Sequence, residues 1–138
     1  MSKTARMDEP MERLLTDLDE AECYRLAATE PVGRLVWTGA DGPSVVPVNF
    51  TLEDGTVRVR TAAYSALARE CDDSRVAFEV DAYDPDSRLG WSVVMAGRAS
   101  VGFVQPGAPA PEVWPVGAKA VQLTISVDKV TGRRLRQR

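Results

Sequence analysis

Three side chains near the middle of the chain, Arg60, Thr61 and Ser65, carry groups suited to holding a phosphate. A guanidinium is a charged, forked donor, and the two hydroxyls are short neutral donors. They fall where a strand-like run, Thr56-Val57-Arg58-Val59-Arg60-Thr61, gives way to residues 62–70, which the pattern predicts as the first turns of a helix. A helix start adds free N–H groups and partial positive charge. The segment lacks the glycines of a phosphate loop, so the residues alone leave two readings open. Either the three side chains hold a phosphorylated ligand, or Arg60 is a surface strand residue and Ser65 a helix N-cap.

The chain contains no histidine. That excludes Ser-His-Asp and Cys-His nucleophiles and every histidine-based metal site. It also removes the commonest general base near neutral pH. Chemistry must rest on carboxylates, Tyr, Lys, water or an organic cofactor. With 17 basic and 20 acidic residues the formal charge is −3, so no global field draws in nucleic acid or an anionic membrane. The 138 residues, 44% hydrophobic and 27% charged, suit one globular domain. No apolar stretch is long enough for a spanning helix, and residues 1–10 lack the apolar core of a secretory signal. Cys23 and Cys71 show no metal-ligand spacing and read as buried thiols in a reducing cytoplasm. The acidic cluster Asp81, Asp84 and Asp86 lacks the glycine and terminal glutamate of a calcium loop, so it reads as a solvated loop and no metal is expected. The basic tail from Arg133 to Arg138 reads as solubilising, with Arg133 and Arg134 placed to face a partner subunit.

The elements that must position these groups follow from periodicity. Residues 1–15 are expected to form a flexible arm, and residues 16–138 a single domain. Asp19, with Glu22 three positions on, marks a helix start; Leu18, Cys23, Leu26 and Ala27 recur at helical spacing until Pro31 stops the run. Short β-rich runs then alternate with turns. Residues 33–38 lead through Ala40-Asp41-Gly42-Pro43 into residues 44–50, where Pro47 suits an edge or a bulge and not a central ladder. Glu53-Asp54-Gly55 signals a tight hairpin into residues 56–61. Residues 75–81 alternate as a half-buried strand does. Residues 90–101 form a long strand bent or bulged near its glycines. Residues 105–117 read as a Pro-, Ala- and Gly-rich connection in which Trp114-Pro115 either caps a site or tucks against the surface. A last strand over 120–127 turns at Asp128-Lys129 into residues 130–135. Many strands and few helices indicate a small antiparallel barrel or sandwich.

In order and spacing these segments resemble the pyridoxamine-phosphate-oxidase-like family of flavin-binding split barrels. The residues that carry the resemblance are Pro31-Val32-Gly33-Arg34-Leu35, Val46-Pro47-Val48-Asn49-Phe50, Val59-Arg60-Thr61 and Val76-Ala77-Phe78-Glu79-Val80-Asp81. Gly90-Trp91-Ser92-Val93, Gly97 and Val130-Thr131-Gly132-Arg133 complete it, so the match runs over roughly residues 18–135. The resemblance implies a mainly β fold: a six-stranded antiparallel split β-barrel (Greek key) with a few short helices. It further implies a homodimer with flavin mononucleotide (FMN) in clefts at the subunit interface. Pro47, Val48 and Asn49 would then lie along the ring, and Arg60, Thr61 and Ser65 would take the phosphate. Trp91 and Ser92 would approach the ring or its ribityl chain.

The sequence departs from the family pattern at one point. A Gly-Ser-Lys-like run is replaced by Tyr64-Ser65-Ala66, so one cation facing the phosphate is missing. Three functions are therefore carried forward. The leading one is an FMN-dependent oxidoreductase acting on a small molecule. The second uses a deazaflavin cofactor, with Arg58, Arg69 or the C-terminal arginines meeting its longer anionic tail. The third is a cofactor-free dimeric binding module in which Tyr64 fills the phosphate cavity.

Overall fold

Alternation of apolar and polar residues carries most of the fold. In the computed structural model, which describes residues 12–104, 107 and 110–138, the elements in chain order are β1 (Arg13–Asp17), α1 (Glu20–Ala27), β2 (Val32–Gly39), β3 (Gly42–Asn49), β4 (Thr51–Glu53), β5 (Thr56–Thr61), α2 (Ala66–Glu70), β6 (Ser74–Asp84), β7 (Leu89–Phe103) and β8 (Val121–Gln137). All pairings are antiparallel, in the order β3-β2-β6-β7-β8-β5-β4, with β1 added on β8. β3 and β5 sit near opposite ends of this order yet line one cleft. The sheet therefore curls on itself and stays open along that seam, the geometry of a split barrel.

Eight strands are described where six were expected. The two additional ones are β1, which pairs with the far end of β8 from Arg13↔Gln137 to Asp17↔Arg133, and the three-residue β4. The last residues of the expected arm are thus held by a ladder, while residues 1–11 lie outside the described part. β4 closes a two-residue hairpin on β5 at Asp54-Gly55. Both turn residues have positive φ, 52° and 72°, as a type I′ turn requires.

β5 shows how the pattern sorts side chains. Val57, Val59 and Thr61 are buried, while Arg58 and Arg60 on the other face are half-buried. The inward residues of β2, β6, β7 and β8 meet those of β5 in one core around Leu35, Phe78, Met95, Leu123 and Ile125, all fully buried. Phe50 packs edge-on to Phe78 with centroids 4.9 Å apart. Helix α1 starts where expected, the Asp19 carboxylate accepting from the Glu22 N–H at 2.8 Å, and buries Cys23, Leu26 and Ala27. No helix among the described residues is long and apolar enough to cross a membrane.

Two expected turns resolve differently. Residues 62–70 yield only the five-residue α2, because Ala62-Ala63-Tyr64 stays outside the helix and Ser65 caps it. Asp128-Lys129 is not a turn. β8 runs straight through it, and the register slips by one between Ala96↔Lys129 and Gly97↔Val127, leaving Asp128 as the extra residue of a bulge. Arg75 holds that residue, donating to both carboxylate oxygens at 2.7 and 2.6 Å.

On the outer face of β2 and β6, Arg34 bridges two carboxylates, Asp81 at 2.9 Å and Glu79 at 3.5 Å. Burial, with the hydrogen bond to Asp81 and repulsion from its charge, pushes the Glu79 carboxyl from 4.5 up to about 7 against the pull of Arg34. Its ionisation is therefore harder in the folded chain than in the unfolded one. Glu79 contributes fully to stability below about pH 4.5, and that contribution is lost as pH rises through 7. Glu79→Gln is expected to remove this loss and to gain about 1 kcal/mol over wild type at pH 8, the value being limited by solvent screening of half-exposed groups. Urea melts between pH 4.5 and 8 check it. A variant curve parallel to wild type would rule it out.

Candidate functional site

A cleft of about 470 Å³ opens where the barrel splits. Its floor is edge strand β3, one wall is the end of β5 with the cap of α2, and its roof is the loop leading into β8. Six of the eight expected site residues line it: Pro47, Val48, Asn49, Arg60, Thr61 and Ser65. They converge because β3 is an edge strand. Pro47 offers no N–H to a ladder, and β3 has a neighbour on one side only. The open side becomes the floor of the cleft.

The polar groups divide between building the cleft and facing it. Thr61 Oγ1 donates to Ser65 Oγ at 2.8 Å, and Ser65 Oγ accepts from the Ala68 N–H at 3.2 Å. Ser65 is thus an N-cap, as the simpler sequence reading had it, and its own hydroxyl proton remains to donate. Helix α2 has only five residues, so its dipole adds little and anion binding falls to side chains. Asn49 acts as a clamp. Its Nδ2 donates to the Pro31 carbonyl at 3.1 Å, and its Oδ1 accepts from the Trp114 N–H at 2.9 Å. It thereby fastens the roof loop to β3 and places Trp114 in the cleft as a cap, although its side chain stays largely exposed.

Arg60 faces the cleft with its Nε buried and no hydrogen-bond partner. Across the β5–β8 ladder stands Gln122, whose Oε1 is buried and unpartnered as well, so neither group satisfies the other. Arg60 also makes no ion pair among the described residues. A buried guanidinium nitrogen without a partner costs free energy in the apo chain, and a phosphate oxygen is the natural acceptor for it. The residues therefore fit a phosphate-bearing ligand.

Tyr64 does not fill the cleft; it is 88% exposed. Arg69, a possible substitute for the missing lysine at position 66, instead donates to the Tyr64 carbonyl. The cation that does line the cleft is Lys119, from the loop before β8. Nothing in the local pattern had marked it, because its proximity to Arg60 exists only once the loop is folded over. Among the described residues Arg60 and Lys119 are the charged ones that line the cleft, and the remaining walls are mostly apolar: Val32, Val46, Val48, Leu67 and Val113.

Trp91 and Ser92 lie elsewhere. They line a second cleft, also of about 470 Å³, with Asp81, Tyr83, Arg133 and Leu135. Ser92 pairs with Arg133, whereas Gln122, opposite Arg60, pairs with Gly102. Ten residues of β7 separate the two places, roughly 30 Å of strand. Within the chain the eight residues therefore divide between two separate clefts. Thiol chemistry is absent from both, since Cys23 and Cys71 are buried. Burial pushes the Cys71 thiol up to about 11 and raises Cys23 as well, so both stay protonated at neutral pH.

Comparison with known proteins gives this geometry a family. An uncharacterised protein of Mycobacterium tuberculosis (strain ATCC 25618 / H37Rv) is 41% identical over 106 residues, covering 72% of this chain and 70% of that one. The FAD-binding protein of Mycobacterium smegmatis superposes with a TM-score of 0.71 at 28% identity, over 89% of this chain and 100% of that one. A conserved protein of unknown function from Corynebacterium diphtheriae gives 0.70 at 30% identity, over 88% and 98%. The FAD-binding protein of Mesorhizobium loti, at 21% identity over 91% and 100%, shares the fold with a TM-score of 0.71. Residues 19–104, from the α1 cap to the end of β7, match the model of the pyridoxamine 5'-phosphate oxidase family, and this chain belongs to that family.

Proposed function

We propose that the chain is a flavin-dependent redox protein whose flavin nucleotide lies in the β3–β5 cleft with its phosphate against Arg60. The observation that carries this reading is the composition of the cleft among the described residues: apolar walls and two cations, with no carboxylate lining it and one buried guanidinium nitrogen without a partner. Such a cleft suits a ligand that joins a flat, largely apolar ring to an anion. The FAD-binding relative from Mycobacterium smegmatis, 28% identical, supports a flavin. FMN is the smallest flavin nucleotide with both parts. FAD is the second reading, favoured by that relative and by Arg58, whose buried Nη1 is likewise unpartnered two residues along the same face of β5.

When bound, the ring supplies the two-electron chemistry. The chain's part is to bind and orient it: Arg60, Thr61 and Ser65 at the phosphate, the β3 backbone at 47–49 along the ring, and Trp114 over the opening. A homodimer follows from the same reading. The Trp91–Ser92–Arg133 half-site is too far along β7 to reach the Arg60 cleft of its own protomer. A two-fold copy would bring it to the partner's cleft and create two equivalent sites. The exposed Tyr83 and Leu15 beside that half-site suit burial against such a copy.

The deciding experiment is the visible spectrum of the purified chain before and after loading with FMN, FAD or a deazaflavin cofactor and removal of the unbound fraction. Retention of a flavin spectrum, with sedimentation as a dimer, is expected. A chain that retains none of the three would sink the reading.

A further inference from the structure

We propose that Lys119 is the second cation of the phosphate site, brought in by the loop before β8 in place of the one that position 66 lacks. The inference rests on the flavin reading above, in that it assigns a residue to the anionic end of the same cleft.

Four observations carry it. Position 66 is alanine, the first residue of α2, and it offers no charge. Arg69 is turned onto the Tyr64 carbonyl and is not among the cleft residues. Lys119 does line the cleft, together with Arg60, Thr61 and Ser65. Among the described residues it has no ion-pair partner, and none of them places a carboxylate in the cleft to compete for it. Two cations lining one cleft, neither with a counter-ion among the described residues, raise the local positive potential in a chain of net charge −3. The arrangement recognises an anion of more than one charge.

The loop supplies the means. The ammonium of Lys119 rests over Gly117, 3.7 Å from where a Cβ of that residue would stand. A four-carbon stem with three rotatable donors gives it reach from that position toward an anion beside Arg60. The Asn49 clamp on Trp114 holds the loop down five residues earlier. The cation is therefore coupled to the roof. A roof seated on β3 brings Lys119 to the cleft, and a bound anion in turn holds the roof closed.

The test compares FMN with riboflavin, which has the ring and ribityl chain but no phosphate. Each is titrated into the wild-type chain and into Lys119→Ala, Lys119→Gln and Lys119→Ala/Ala66→Lys, with flavin fluorescence as the readout. Thermal melts of each variant without ligand check that it folds. The expected result is that wild type binds FMN more tightly than riboflavin. Both single variants should lose roughly ten- to a hundredfold for FMN and under about twofold for riboflavin, as removal of one charge-assisted contact predicts. The double variant should regain at least part of the loss, since a lysine restored at 66 replaces the same charge.

An unchanged preference for FMN in both single variants would overturn the role of Lys119 while leaving the flavin reading intact. Equal affinity of wild type for FMN and riboflavin would overturn it too, since no phosphate would then be recognised. If wild type binds neither of these two, the FMN reading fails, and inorganic pyrophosphate decides the cation by itself. A melting temperature raised by pyrophosphate in wild type and not in Lys119→Gln would uphold the anion site; equal shifts, or none, would overturn it.

Discussion

Arg60→Ala is expected to weaken FMN binding by about ten- to a hundredfold and to leave the ligand-free chain as stable as wild type or more so. The two halves of this result share one cause. A hydrogen bond to a charged group contributes about 1.5–3 kcal/mol, and each 1.4 kcal/mol is a factor of ten in affinity. In the ligand-free chain the same guanidinium has a buried Nε without an acceptor, so truncating it removes a cost rather than a bond. Arg60→Lys keeps the charge but loses the fork and should fall between the two. Fluorescence titration gives the affinity, and urea melts without flavin give the stability. If affinity is unchanged, the phosphate does not lie at Arg60. If stability falls with affinity, Arg60 is a structural strand residue.

Gly97→Ala is expected to destabilise the fold by about 3 kcal/mol, the largest effect on stability anticipated for a single methyl group here. A Cβ at this position would stand 2.0 Å from the Ser126 carbonyl oxygen and 2.7 Å from its carbon. Both atoms belong to the β8 backbone, which cannot swing aside as a flexible side chain can. The site is also where the register between the two longest strands, β7 and β8, slips around the Asp128 bulge. Relieving the clash means shifting the bulge and with it the Arg75–Asp128 pair. Guanidinium denaturation of the variant measures the loss. A change below about 1 kcal/mol would mean that β8 yields easily at the bulge.

Much of the architecture was legible because its determinants are local. The Asp19 cap needs only the four residues from 19 to 22, and the Asp54-Gly55 hairpin only two with positive φ. Pro47 excluded a central ladder through its missing N–H and left an edge or a bulge, and the structure puts it on edge strand β3. Where the reading went astray, a distant partner had outweighed the local signal. Asp128-Lys129 has the polar character of a turn, but pairing with β7 on one side, and with β5 and then β1 on the other, carries β8 straight through it. Residues 13–15 look like part of a loose arm until the far end of β8 offers them a ladder. Residues 62–64 carry helix-forming alanines, yet Ser65 takes the cap position and helix begins only after it.

The candidate site divides along the same line. Residue type and spacing by themselves determined that Arg60, Thr61 and Ser65 suit an anion and that histidine chemistry is absent, and the order of segments resembled that of a family of split barrels. Only the tertiary structure decided which of these residues share a cleft. It put six of the eight expected residues together at the split, and left Trp91 and Ser92 at the other end of β7. It also turned Tyr64 out to solvent and brought Lys119 to the cleft that Arg60 lines, across 59 residues of sequence. The physical reason is that capping, turn and alternation energies act over a few residues. The charge around a ligand is set by which distant segments the closing barrel folds over the same opening.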